Sequence, residues 1–216
     1  MFKNFSTLSR HLTWSHYCEL LTFDNIDEIN YYIKQIGDYN LSVRELREKI
    51  KSKEYQRLDD NTKLKLINKE ETVVSDFIKN PIVIKNKYNI DKEQITEKIL
   101  KKLILEDLDN FLKELGTGFS YIENEYKIKI GNTFNYIDLL LFNYIYNCFV
   151  VIELKVTELK KEHIGQIQIY MNYVDKNIKT INQDKTIGVI ICKKDNGYYI
   201  EYSSDNRIFS KNYILS

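Results

Sequence analysis

The stretch that decides the reading is NYIDLLLFNYIYNCFVVIELKV, residues 135–156. Two apolar runs flank a polar and aromatic break at Asn143 to Asn147, which reads as two strands joined by a turn. A turn centred on Ile145 and Tyr146 places residues that sum to 291 opposite each other. Asp138 and Glu153 then face across the hairpin, with Cβ atoms about 4.5–5.5 Å apart. Lys155 lies two residues beyond Glu153 and shares its face. Two acids and a lysine therefore converge inside otherwise apolar strands.

Such a trio is expensive unless something offsets the charge. A divalent cation would do so. Carboxylates with waters suit Mg²⁺, which seldom uses more than one or two protein carboxylates, and Mn²⁺ is expected to substitute for it. The Leu154 carbonyl could add a ligand. With such a metal the chemistry is phosphodiester hydrolysis: the metal polarises the phosphate and acidifies a water, and Lys155 orients that water or holds the phosphate. The other reading of the trio is a core lysine bridged between two acids.

Two helices flank these strands. Ile95, Ile99, Leu103, Leu108, Phe111, Leu112 and Leu115 predict one long amphipathic helix from Asp91 that stops at Gly116 and Gly118. Glu106, on the edge of its stripe, is a candidate outer metal ligand or an exposed carboxylate. The second helix, Leu159 to Val174, buries Ile164, Ile167, Met171 and Val174. A neighbouring stripe carries Gln166, Tyr170 and Tyr173. Gln166 could reach a metal-bound water or the phosphate, or lie at the surface. Tyr170 is a candidate nucleic-acid contact or a packing residue. Strands are expected at Phe119–Ile122, Tyr126–Ile130, Thr186–Cys192 and Tyr198–Tyr202. The order of helix, strands, helix and strands predicts a mixed α/β layer arrangement.

Toward the N-terminus, three short helices are expected, from Ser15, from Ile26 to Ile36, and from Ser42. Ser42 and Glu45 have capping-box spacing. The third helix turns Val43, Leu46 and Ile50 inward and carries Arg44, Arg47 and Lys51 outward. The trio of helices suggests a helix-turn-helix-like module in which those three cations could meet nucleic acid, or a solvated helix. The expected domain limits are 1–60 helical, a candidate DNA-binding domain, 61–92 connecting, and 93–216 nuclease.

The 216 residues carry a net charge of +1, so any nucleic-acid surface must come from local clustering of cations. Cys18, Cys148 and Cys192 show no zinc spacing and read as reduced thiols of a cytoplasmic protein. No apolar window is long enough for a membrane span. His11, His16 and His163 read as surface or capping residues. Trp14 is expected to pack among the N-terminal helices, with base stacking as the alternative.

Several of these motifs resemble one family. ELGTGFSYIENEYKIKIGNTFNYIDLLLFNYIYNCFVVIELKVTELKKEHIGQIQIYMNYVD (114–175), with LTWSHYCELL (12–21) and LSVRELREKI (41–50), resembles the YhcG-like branch of the PD-(D/E)xK nuclease superfamily. The likeness runs from about Leu8 to the strand at Cys192. It implies a restriction-endonuclease-like core preceded by a small all-α domain of DNA-binding type. By position, Asp138 matches the metal-binding aspartate, Glu153 and Lys155 the E-x-K motif, and Gln166 the polar residue of the following helix. Glu106 stands for the acid of the preceding helix. The N-terminal domain is expected to be shortened. Glu125 stands where the family is usually basic or amide-rich, a departure that argues against a phosphate contact from that strand.

The function implied is an Mg²⁺-dependent DNA endonuclease serving phage defence, repair or mobile-element processing. RNA is a second candidate substrate, and a homodimer is the expected assembly. The alternatives are a catalytically inactive nucleic-acid-binding module and an assembly protein that keep the nuclease fold.

Overall fold

The computed structural model describes residues 12–194 and 197–216. His11 lies outside the described residues. The chain divides into two compact units, Met1–Thr72 and Val73–Ser216.

The first unit is helical: α1 (Trp14–Leu20), α2 (Ile26–Tyr39), α3 (Val43–Lys51) and α4 (Asp60–Asn68). Local chemistry fixes the ends. Asn25 accepts from the Asp27 and Glu28 amides at the start of α2. Asn40 ends that helix in the left-handed conformation, with φ 50°. Ser42 and Glu45 form the expected capping box at α3. His16 caps α1, with Nδ1 accepting from the Thr13 amide, and is buried with Nε2 against the Leu41 carbonyl. Leu20, Tyr31, Tyr32, Ile36, Leu46 and Tyr55 form the interior. Trp14 does not pack there. It is 77% exposed, because His16 and Leu20 occupy the inward side of α1.

The second unit is a three-layer α/β structure. Its six strands are β1 (Ile82–Ile84), β2 (Phe119–Ile130), β3 (Thr133–Asn143), β4 (Cys148–Glu158), β5 (Asp184–Lys194) and β6 (Ile208–Leu215), in the order β1-β6-β5-β4-β3-β2. The hairpins β2–β3 and β3–β4 are antiparallel, and the remaining pairs are parallel. Helices α5 (Glu97–Glu106) and α6 (Leu108–Leu115) cover one face, with Leu100, Leu103 and Leu115 packed on Val150, Ile152 and Leu154. Helix α7 (Lys161–Asn177) covers the other with Ile167, Met171 and Val174 on Val151, Ile190 and Cys192. It joins the parallel strands β4 and β5, the usual task of a crossover helix. Its approach is close: a Cβ on Gly188 of β5 would stand 2.5 Å from Met171 Sδ.

Several elements differ from the sequence reading. The long helix is broken at Asp107, whose φ of −133° leaves helical geometry. Its carboxylate is held by Lys85 and Asn110. The apolar stripe runs on across the break, so periodicity conceals it. The two short strands 119–122 and 126–130 are one strand, with a register shift after Tyr121 and Glu125 at φ 52°. Tyr198–Tyr202 is not a strand; Gly197–Glu201 forms a short helix, α8. A five-residue aromatic run carries too little periodicity to tell helix from strand. The stretch 61–92 is no bare connector, since it holds most of α4 and the sheet's edge strand β1. Strand β6, between β1 and β5, escaped notice because Lys211 is buried in its middle.

Candidate active site

The turn at Tyr144 to Asn147 sets the expected register, and Leu139 pairs with Ile152 and Leu140 with Val151. Pairing between β3 and β4 stops at Leu139, one residue short of Asp138. From there β3 continues along β2, and β4 continues along β5 as far as Glu158. The strands part in a fork, and the acids stand in it. Asp138 and Glu153 are therefore not a laddered pair. Asp138 Oδ2 instead accepts the Leu154 amide at 2.9 Å, so a side chain replaces the missing strand bond.

Helix α5 supplies two groups that the sequence reading missed. Lys101 Nζ lies 2.7 Å from Asp138 Oδ1 and 3.2 Å from Glu125. Glu97 lies 3.6 Å from Lys155 Nζ, which also contacts Glu153 Oε1 at 2.9 Å. Glu97 and Lys101 are four residues apart, hence on one helix face. That spacing was the available signal. Glu106 is not at the cluster. It ends α5, nine residues and about 13 Å of helix beyond Glu97, and interacts with Lys102 and Tyr88.

Burial decides the electrostatics. Glu153 is 3% exposed and Lys155 9%. Loss of water, then the Asp138 charge, push the Glu153 carboxyl up to about 7, against the opposing pull of Lys155. Burial alone would lower Lys155, but Glu153, Glu97 and Asp138 outweigh it and hold the ammonium above the usual lysine range. Glu153 Oε2 is buried with no hydrogen-bond partner among the described residues. At the start of α7, His163 Nδ1 accepts the Lys160 amide at 3.2 Å. Burial, then Lys155 and Lys160, keep its imidazole below its ordinary range.

The remaining candidates fall as follows. Gln166 donates to Tyr170 Oη at 2.9 Å. Tyr170 is buried in the core under α7, so its ring is a packing group and not a nucleic-acid contact. Arg44 pairs with Glu48, Arg47 pairs with Glu19, and Lys51 is exposed. Among the described residues no three His, Cys, Asp or Glu side chains form a metal cage. The fork offers two carboxylates, a set that suits a cation keeping most of its waters.

A family model described as "YhcG PDDEXK nuclease domain" matches residues 75–215, more than half of the chain. The chain belongs to this nuclease family. Residues 1–57 match a second model, "DUF1016 N-terminal domain". A relative from Escherichia coli (strain K12), named "Putative nuclease YhcG", is 25% identical over 198 residues, covering 89% of this chain and 52% of the relative. The chain thus spans about half the length of the curated relative it matches. Two similar solved structures are a repair endonuclease from Pyrococcus abyssi (17% identity, TM-score 0.40, covering 55% of this chain and 47% of that one) and an EndoMS–dsDNA complex (18%, 0.41, 57% and 48%). The mixed sheet flanked by helices is the restriction-endonuclease-like core of the YhcG PDDEXK family, with a helical region before it. No helix among the described residues is long and apolar enough to cross a membrane.

Proposed function

We propose that this chain is a metal-dependent endonuclease that hydrolyses phosphodiester bonds in DNA, with Asp138, Glu153 and Lys155 at its centre. One observation carries the reading. Glu153 Oε2 is buried without a partner among the described residues, beside a second carboxylate. An unpartnered buried carboxylate oxygen is costly, and a divalent cation between Glu153 and Asp138 removes that cost. The Leu154 amide points to Asp138, and the N–H and C=O of one strand residue share an edge. The Leu154 carbonyl thus faces the same fork. An all-oxygen donor set is hard and suits Mg²⁺, with Mn²⁺ as a substitute.

When bound, the cation would polarise the scissile phosphate and acidify a water. The protein's own groups do the rest. Lys155, kept cationic by Glu153 and Glu97, holds the phosphate or orients the water, and stabilises negative charge as it develops. Gln166, whose amide nitrogen donates to Tyr170, would offer its amide carbonyl to that water. In the N-terminal unit, Lys51 and the arginines Arg44 and Arg47 would trade their present surroundings for phosphates. A homodimer would set two such sites against a duplex. An activity of this kind would serve phage defence, repair or mobile-element processing.

The test is to incubate the protein with supercoiled plasmid and linear duplex in Mg²⁺, Mn²⁺ or EDTA, alongside Lys155→Ala and Asp138→Ala. Cleavage that needs metal and disappears in both variants is expected. DNA binding without cleavage, indifferent to metal and to both substitutions, would replace this reading with a non-catalytic binding module.

A further inference from the structure

A second feature lies on the other flank of α7. Lys161, Ile164 and Gln168 of that helix face Tyr198, Tyr199 and Tyr202 across a groove of about 400 Å³. The residue spacings of three and four keep the α7 side chains on one stripe. The three tyrosines are unusually open, at 74%, 41% and 82% exposed. The Tyr202 amide bonds to the Tyr198 carbonyl at 3.1 Å, so these two rings stand one helical turn apart on one side. Single exposed apolar residues are ordinary on a soluble protein, whereas three rings gathered on one groove form a patch.

The wall carrying these rings is braced from behind. Arg207 pairs with Asp205 at 2.6 Å and with Asp175 of α7 at 2.7 Å. Gln168 bonds to Asp205 as well, and the Asp205 amide donates to Ser203 Oγ at 3.3 Å. Tyrosine offers a flat apolar face and a polar edge at small cost in conformational freedom. Lys161, exposed at the mouth, adds a cation beside the rings. Stacking rings next to a lysine match the two halves of a nucleotide, base and phosphate. The first turn of α7 links the groove to the catalytic cluster. His163, two residues from Lys161, caps that turn and feels the charge of Lys155.

We propose that this groove binds an unpaired nucleobase of the DNA strand, stacked on Tyr198 and Tyr202 with its phosphate near Lys161. The proposal rests on the DNA-nuclease reading and deepens it: the substrate class becomes DNA with a single-stranded or splayed segment beside the scissile bond.

Binding in EDTA tests it without requiring cleavage. Fluorescence anisotropy would compare a labelled single-stranded deoxyoligonucleotide with an abasic one of equal length. The proteins would be the wild type, Tyr198→Ala/Tyr202→Ala and Tyr198→Phe/Tyr202→Phe. The alanine pair should weaken binding of the normal strand roughly tenfold or more, and the phenylalanine pair should restore it. The wild type should lose a similar factor on the abasic strand, and the alanine pair should not distinguish the two strands. Both tyrosines are exposed, so an unchanged melting temperature should accompany the loss. Equal affinity of wild type and alanine pair would overturn the groove, while metal-dependent cleavage that needs Lys155 would leave the nuclease reading standing. Tighter capture of an oligoribonucleotide through the same rings would overturn the assignment to DNA.

Discussion

Lys101 of α5 sits 2.7 Å from Asp138 Oδ1, and the other oxygen of that carboxylate accepts the Leu154 amide at 2.9 Å. Asp138 is therefore engaged on both sides, while its neighbour Glu153 keeps one buried oxygen without a partner among the described residues. Lys101 occupies the place that a metal would contest, as a cation already provided by the chain.

Replacing it should tip that contest. Lys101→Met removes the competing ammonium and should tighten Mn²⁺ binding about three- to tenfold, the scale of one modest ion-pair energy. Titration followed by the Mn²⁺ electron paramagnetic resonance signal measures it. Unchanged affinity would show that Lys101 and the metal do not share Asp138.

The Glu153 carboxyl gives the metal-free protein a pH dependence of definite sign. Its folded value of about 7 lies above the ordinary 4.5, so the folded state binds the proton more tightly than the unfolded state. Its contribution is most favourable below about pH 4.5 and declines as pH rises toward 7, by about 3 kcal/mol in all. Melting curves in EDTA at pH 5.5 and 7.5 should show the wild type losing more stability than Glu153→Gln. Metal binding at pH 6.5 should release protons, detectable by calorimetry in two buffers of different ionisation enthalpy.

Lys155→Met should abolish cleavage and also expose its structural role. Above pH 7 it removes the counter-ion that helps Glu153 ionise, so the buried carboxyl must either keep its proton or stand charged and unpaired, a loss on the order of 3 kcal/mol that grows with pH. At pH 5.5 Glu153 takes up a proton and the loss should shrink by half or more. Chemical denaturation at the two pH values separates this from a pH-independent packing defect.

How much of this was legible in the sequence depends on the range of each interaction. The β3–β4 register followed from one turn and two apolar runs, and the α7 stripe of Ile167, Met171 and Val174 from helical periodicity. These are local signals. The contact of Lys101 with Asp138 is set by how α5 lies on the sheet, across a sequence separation of 37, and no periodicity encodes it. Glu106 borders an apolar stripe, yet Glu97, about two and a half turns before it, is the acid that reaches Lys155. Strand β6 was hidden by its own buried Lys211, and α8 by its brevity.

Gly188 offers a test of the layer contact under α7. A Cβ there meets Met171 Sδ at 2.5 Å and Ile167 Cδ1 at 2.9 Å, both ends of mobile side chains. Gly188→Ala should cost about 1–2 kcal/mol and Gly188→Val more, since overpacking forces rotamer changes. Thermal melts of both variants rank them. A valine variant as stable as wild type would mean that α7 rides loosely on the sheet.

The fork between β3 and β4 has a consequence for how the proposed activity would fail under heat. Its groups come from α5, β3, β4 and α7, the regular elements that enclose both cores, and none is carried by a loop that could fray by itself. Inactivation and melting of the Val73–Ser216 unit should therefore follow a single curve, and residual cleavage after a heat pulse would count molecules in which that unit is folded.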